Sequence, residues 1–454
     1  MRLIPLFSLL IACDPDKTSP DSGGVEAPDG PTWEQDVAPV VAARCGSCHT
    51  EGGAAFSLDV YDLAKPMATA MAEAVRSGAM PPWGALQTDE CSPPLGFKND
   101  LRPTDEEKAL IEAWAEAGAP QGDPASPAAL PTPPNLNLDR VDQELTPLAP
   151  YAASGDDDEF MCFVLDPELD TRKWLVGVQV TPGNAEVVHH MLLYTDPAGS
   201  SLAKADENGQ YRCFGGPGLN DTGLVAAWAP GSFPTETPEG VGMPITAGTL
   251  LVMQIHYHPR GLDAEPDLST VQLKWADERP DQNAVMALIG NASNKRSGLL
   301  SGPNDSDPDR PEFVIPAGVS DHTETMEFTL DSGPYTIFAV GTHMHYVGTD
   351  MIINLDRAEP RAEEADSDCL LQTPKWDFNW QRWYNYDDGG DDAALPVIRE
   401  GDTLRLRCTY DNTLDNPGVQ QALADAGKTE PDEVRLGEET LDEMCLGVFG
   451  IIYQ

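Results

Sequence analysis

Two hydrophobic periodicities divide the chain. Between residues 32 and 118 the apolar positions recur at helical spacing. Leu110, Ile111 and Trp114 follow Thr104, with Glu107 three residues after it as a capping box, and Gly118 with Pro120 beyond it closes the helix. A second helical stretch is expected over Trp33–Arg44. From about residue 150 the pattern changes to short apolar or alternating runs at 174–180, 250–255, 335–340, 403–407 and 447–452, separated by Gly, Pro, Asn and Asp clusters. That is the punctuation of an all-β fold, sandwiches in particular. The stretch divides into two sandwich domains, 151–275 and 276–454. Residues 119–150 form a linker with prolines at 120, 124, 127, 131, 133 and 134, expected to act as a semi-rigid spacer. Residues 14–31, rich in Pro, Asp, Ser and Gly, read as a flexible tether.

Composition and the N-terminus sharpen this division. The chain has 454 residues, enough for about three domains. Its 75 acidic and 28 basic residues give a net charge of −47. Phosphate neutralisation needs Lys and Arg, so nucleic acid is excluded as a partner. The acidic runs 156–159 and 387–392 read as solvated loops, with calcium binding the other option. Leu3–Ala12 is apolar but too short to span a bilayer. It leads to Cys13 and then polar residues, so residues 1–13 resemble a bacterial lipoprotein signal with Cys13 lipidated; an ordinary secretory signal is the alternative. Either implies export, and lipidation implies a membrane anchor at the periplasmic face or the cell surface. Of nine cysteines, six at 91, 162, 213, 369, 408 and 445 remain once Cys13, Cys45 and Cys48 are set apart, enough for three bridges.

Cys45-Gly-Ser-Cys48-His49 is a CxxCH motif. Two thiols at this spacing can add to the haem vinyls while the adjacent His takes the iron. A redox dithiol or a zinc half-site would use the same residues. Export and the preceding helix favour haem, and Met80-Pro-Pro-Trp83 offers a thioether in a stiff loop, with Met67 and Met71 as rivals. The segment resembles small cytochrome c domains, which implies one covalent haem c held by Cys45, Cys48 and His49, with Met80 as distal ligand, on a small all-α domain spanning 32–118.

Six of the eight histidines fall in three tight clusters, His189-His190-Met191, His256-Tyr257-His258 and His343-Met344-His345. In a strand, residues i and i+2 share a face at a distance one metal can bridge. Adjacent His189 and His190 need a bend to converge. Imidazole suits zinc and copper alike, whereas a thioether points to copper. His322 reads as a surface residue. With Gln254-Ile-His256-Tyr257 and Asp442-Glu-Met444-Cys445, the clusters stand in an order that resembles the copper type II, ascorbate-dependent monooxygenases over about 155–454.

That resemblance implies two all-β jelly-roll-like sandwich domains after the all-α cytochrome c domain. It implies two copper ions across a solvent-filled cleft, one on His189, His190 and His256, the other on His343, His345 and Met444. The second would carry the reaction of O2 with a small-molecule substrate. The first would store an electron drawn from ascorbate or another reductant, or through the fused haem, which would itself meet a redox partner protein. On spacing alone His258 rivals His256. Gln254 matches a residue beside the first site, and Cys408 with Cys445 matches a disulfide. Cys162 with Cys213 is the next pairing expected, and Cys369 pairs with Cys91 or stays free. Where peptide-amidating members carry a carboxylate-binding Arg, Asn and Tyr, this chain has Gly341, Leu446 and Val448. Arg260, the one cation near the ligand motifs, is expected to face solvent, so a neutral or cationic, partly apolar substrate follows. The competing readings are a non-catalytic copper and haem electron-transfer or copper-handling lipoprotein, and a zinc hydrolase.

Overall fold

The computed structural model describes residues 30–453 except 52–54, 154–157, 231, 259–264, 292–297, 363, 379 and 438–440. Cys13, the tether up to residue 29 and Arg260 therefore lie outside the described residues, as do 156 and 157 of the first acidic run. The described chain is mostly β-sandwich with a helical N-terminal part. No helix among the described residues is long and apolar enough to cross a membrane.

The helical part has its own core of Trp33, Val37, Met71, Ile111 and Trp114. Its last helix, Asp105–Glu116, starts at the expected capping box. The Thr104 side chain accepts from the Glu107 N–H, and the Glu107 carboxylate accepts from the Thr104 N–H. The helix Ala38–Arg44 runs straight into Cys45. Arg44 reaches Glu107 at 3.0 Å, tying the two helices together.

The proline-rich segment does not stand off as a spacer but lies along the helical part. Gln35 Nε2 donates to the carbonyls of Asp123 and Ser126, the Ala128 N–H to Glu34, and the Ser47 hydroxyl to Pro134. Proline has no N–H to offer, so the anchoring donors come from its neighbours. Residues 83–102, expected within the helical domain, pack on the second half of the β region. Phe97 sits between Tyr384 and Tyr386, with ring centroids 5.2 Å from each. Leu86 and Lys98 donate N–H bonds to Gln372 and Asn385, and Cys91 is disulfide-bonded to Cys369.

Each run expected to be extended is a strand. Where one face meets the core, burial alternates, as along Thr270–Trp275; Leu250–Tyr257 is buried throughout because it lies inside the sheet and is covered on both faces. The two halves are not separate sandwiches. Strand Gln282–Asn291 meets the first half at Met286 opposite Leu224 and runs parallel to Val241 and Gly242. On its other side it pairs over nine positions with Cys445–Tyr453, which in turn pairs with Tyr335–His343. One sheet therefore crosses both halves, and one apolar core fills them. A four-stranded sheet ordered 322–329, 403–410, 348–356, 367–373 covers the second half.

The other two pairings also form, Cys162–Cys213 and Cys408–Cys445. Cys91–Cys369 joins residues 278 apart in sequence. Replacing both of its cysteines with Ser should lower stability by about 2–5 kcal/mol. A thermal melt checks this, and an unchanged midpoint would mean that hydrogen bonds alone hold residues 83–102.

Candidate metal centres

The first donor set is made by two neighbouring strands and a bulge. His190 stands directly opposite His256 where Val188–Asp196 pairs with Leu250–Tyr257. The register shifts between Val188 and His190. The extra residue is His189, and the bulge turns consecutive side chains toward one point, which a regular strand forbids. Nδ1 of His190 lies 3.2 Å from Nδ1 of His189 and 3.3 Å from Nδ1 of His256. Imidazole nitrogens bound tetrahedrally at about 2.0–2.1 Å stand roughly 3.3 Å apart, so the three atoms have the spacing of ligands around one ion. Among the described residues this is the triple of His, Cys, Asp and Glu side chains whose donor atoms come together. Burial, then the neighbouring imidazoles His256 and His189, hold His190 well below the usual histidine range. It is neutral and keeps its lone pair for a metal.

His256 is further fixed from both sides. It stacks on Phe160, with centroids 4.4 Å apart, and its Nε2 lies 3.2 Å from Asp158 Oδ2. The same carboxylate bonds Nδ1 of His258, so His258 stands behind the set while His256 contributes to it. Gln254 lines the same cavity and donates to the Gly216 carbonyl. Asp158 and Glu159 are thus not solvated loop residues: Glu159 is buried and paired with Arg212. In the other acidic run Asp388 is buried against Lys98.

The second set faces the first. His343 Nδ1 is bonded to Gln381 Oε1 at 2.7 Å, and His345 Nδ1 to the Asp442 carbonyl at 3.0 Å. Since both acceptors are oxygens, Nδ1 carries the proton in each ring and Nε2 keeps the lone pair. Burial lowers His343 to about 4. Met444 directly precedes the strand Cys445–Tyr453, and Met344, between the two histidines, points into the core. Glu443 joins the parts. Its carboxylate accepts from the N–H groups of His345, Val347, Gly348 and Met444.

His190, His256, His343, His345 and Met444 line one cavity of about 170 Å³, with Leu446 and Val448 on its wall. The His190 and His343 rings are 6.4 Å apart. The solvent-filled gap expected between the sets is thus narrow here. Phe378 closes it, stacked on His189 at 4.5 Å and standing edge-on to His345 at 5.9 Å. Gly341 has no room for a side chain, since a Cβ there would meet Trp383 Cβ at 2.9 Å. Arg382, which no motif in the sequence marks, also lines the cavity. Its guanidinium lies over the rings of Phe233 and Trp83. His322 is not a surface residue but is buried, bonded to Glu324 and Asn304.

The CxxCH segment is a separate candidate site. Cys45 and Cys48 are free thiols, while the other six described cysteines are paired. Burial pushes Cys45 up to about 11 and raises Cys48 as well. That is opposite to the lowered pKa a redox dithiol needs. His49 Nδ1 is bonded to the Phe56 carbonyl at 2.8 Å, leaving Nε2 for a metal. Phe56, Val60, Leu63 and Met80 are exposed apolar side chains on this small part, surface that a flat apolar group would cover. Met71 belongs to the helical core, which leaves Met80 the more accessible thioether.

The comparisons with known proteins follow the same lines. Residues 150–263 match the family model "Copper type II ascorbate-dependent monooxygenase, N-terminal domain". Peptidyl-glycine alpha-amidating monooxygenase A of Xenopus laevis is 25% identical over 320 residues, 69% of this chain and 28% of that protein's length. The two matches agree on a monooxygenase, an oxidoreductase, and the family description adds copper and ascorbate. Among solved structures, the major capsid protein P2 of bacteriophage PM2 aligns at TM-score 0.29 and 10% identity, covering 68% of this chain and 96% of that one. PNGase F of Flavobacterium meningosepticum aligns at 0.25 and 8%, covering 69% and 99%. At such scores neither carries an argument.

A carboxylate behind a ligating histidine fixes ring and tautomer, and its loss typically costs 10–100-fold in metal affinity. Asp158→Asn should therefore weaken copper binding at the three-histidine set by roughly that factor. A titration against a competing chelator measures it, and an unchanged affinity would reduce Asp158 to a bystander.

Proposed function

We propose that the protein is a dicopper monooxygenase that hydroxylates a C–H bond of a neutral, partly apolar small molecule, with a c-type haem on its helical part. The observation that carries this reading is the meeting of two donor sets at one cavity: His190 and His256 of the three-imidazole set line one side, and His343, His345 and the Met444 thioether the other. When bound, such a copper pair cycles between Cu(II) and Cu(I) and uses O2 to place one oxygen atom in a C–H bond, releasing the other as water, with two electrons from ascorbate or another donor. His189, His190 and His256 hold one ion. His343, His345 and Met444 hold the other, where a soft thioether favours the reduced state.

The substrate class follows from the wall. Leu192, Leu224, Leu288, Leu446 and Val448 line the cavity, and Gly341 leaves no room for a cation at its position. Arg382 is engaged by two aromatic faces, so a carboxylate in the cleft would have to compete for it. Cys45, Cys48 and His49 would hold the haem, with Met80 as its distal ligand. Cys13 would anchor the exported chain, whose domains would be 32–118, 151–275 and 276–454, the last two joined by one sheet.

Metal analysis of the purified chain should find two coppers and one haem. Under ascorbate and O2, neutral aromatic or aliphatic compounds should be hydroxylated in preference to a glycine-extended peptide. Met444→Ala should retain copper at the three-histidine set and lose hydroxylation; full activity in that variant would contradict the assignment. Cys45→Ala with Cys48→Ala should abolish haem staining on a denaturing gel, and persistent staining would sink the attachment.

A further inference from the structure

A second cavity, of about 550 Å³, lies between the helical part and the second half of the β region. Met80, Pro81, Pro82 and Trp83 form one side; Lys375, Trp376 and Trp380 belong to the other. Four cations line it against one acid, Asp377: Lys375, Arg382, and Arg102 and Lys108, which also pair with Asp100 and Asp105. Thr342 and Arg382 line this cavity and the donor-set cavity alike. The partition between the two is therefore one layer of side chains.

Each member of that layer bears on the Met444-bearing set. Thr342 precedes His343 in the strand, and its hydroxyl meets that of Thr373, which also lines the second cavity. Trp376 donates its indole N–H to the His345 carbonyl at 3.0 Å, and its ring centroid is 6.5 Å from that of His343. Gln381, bonded to His343, is followed directly by Arg382. Arg382 faces Trp83 across the second cavity, which both of them line. No donor of either set lines the second cavity, but on its wall Thr342 adjoins His343 and Trp376 is bonded to His345.

We propose that this cavity receives the exposed edge of the haem, with its two carboxylates toward Lys108 and Lys375, and that Trp376 and Arg382 couple it to the His343–His345–Met444 set. Electrons from the haem then enter at that set and not at the three histidines. The proposal rests on the haem and copper assignments above. The step is a one-electron transfer: ferrous haem becomes ferric, a cupric ion at the Met444 set becomes cuprous, and no atom or proton moves.

The test uses the full chain with haem and both coppers in their oxidised states, without O2. A photoexcited deazaflavin injects one electron, and the haem absorption bands are followed. The reduced haem should reoxidise in the wild type and in His256→Ala, and stay reduced in His343→Ala. Arg382→Leu should slow reoxidation when compared at equal copper content, and Arg382→Lys should recover part of the rate. Reoxidation lost in His256→Ala and kept in His343→Ala would overturn the proposal, as would wild-type rates in Arg382→Leu. A wild type without haem bands would instead bring down the haem assignment itself, and one without cupric resonance the copper assignment.

Discussion

The pairing of Cys445–Tyr453 with a strand on each side sets the geometry of everything around the cavity. On one side it is in register with Gln282–Asn291, the strand that reaches the first half. On the other it places Leu446 opposite His343. A slip of one residue would turn Leu446 and Val448 away from the cavity. Met444 sits at the mouth of this register, and the Cys408–Cys445 disulfide ties it to the covering sheet. The ligand strands are thus held by backbone hydrogen bonds over their length, and the cavity inherits the rigidity of a sheet interior.

Glu443 then does for the loop what the ladder does for the strands. Its carboxylate gathers the N–H groups of His345, Val347, Gly348 and Met444, where the chain passes from the strand Tyr335–His343 to the strand Gly348–Asp356. An unsatisfied buried N–H costs about 1–3 kcal/mol, so one side chain removes several such penalties at once. It also fixes the path of the backbone between His343 and His345 relative to Met444. The arrangement joins residues nearly a hundred positions apart without any side chain–side chain contact.

The local features were legible because they are written in short windows. The capping box at Thr104, the strand runs and the paired histidines each follow from spacing within a few residues. What escaped is tertiary. A bulge at His189 depends on the partner strand's register, and adjacency alone could only demand some bend. Asp158 looked like one more acid in an acidic run until the fold brought it to His256. His322 stands in a polar stretch, yet Glu324 and Asn304 satisfy it inside the protein. Phe378, Gln381 and Arg382 lie in a segment with no periodicity to mark it. The merging of the two halves into one sheet also has no local signature, since strand Gln282–Asn291 reads the same whichever neighbours it takes.

The two donor sets differ most in what stands behind them. Behind His256 is a carboxylate, Asp158, shared with His258. Behind His343 and His345 are neutral oxygens, an amide and a peptide carbonyl. Glu443 lies near the second set, but its carboxylate is taken up by the four backbone N–H groups that donate to it. Negative charge close to a metal stabilises its higher oxidation state, and neutral dipoles do so less. The thioether of Met444 works in the same direction by preferring the softer, reduced ion. A redox metal shared between the sets would therefore be easier to reduce on the Met444 side, even with imidazoles on both. This asymmetry comes from residues outside the six donors, which is why the same pattern of histidines on another frame would not guarantee it.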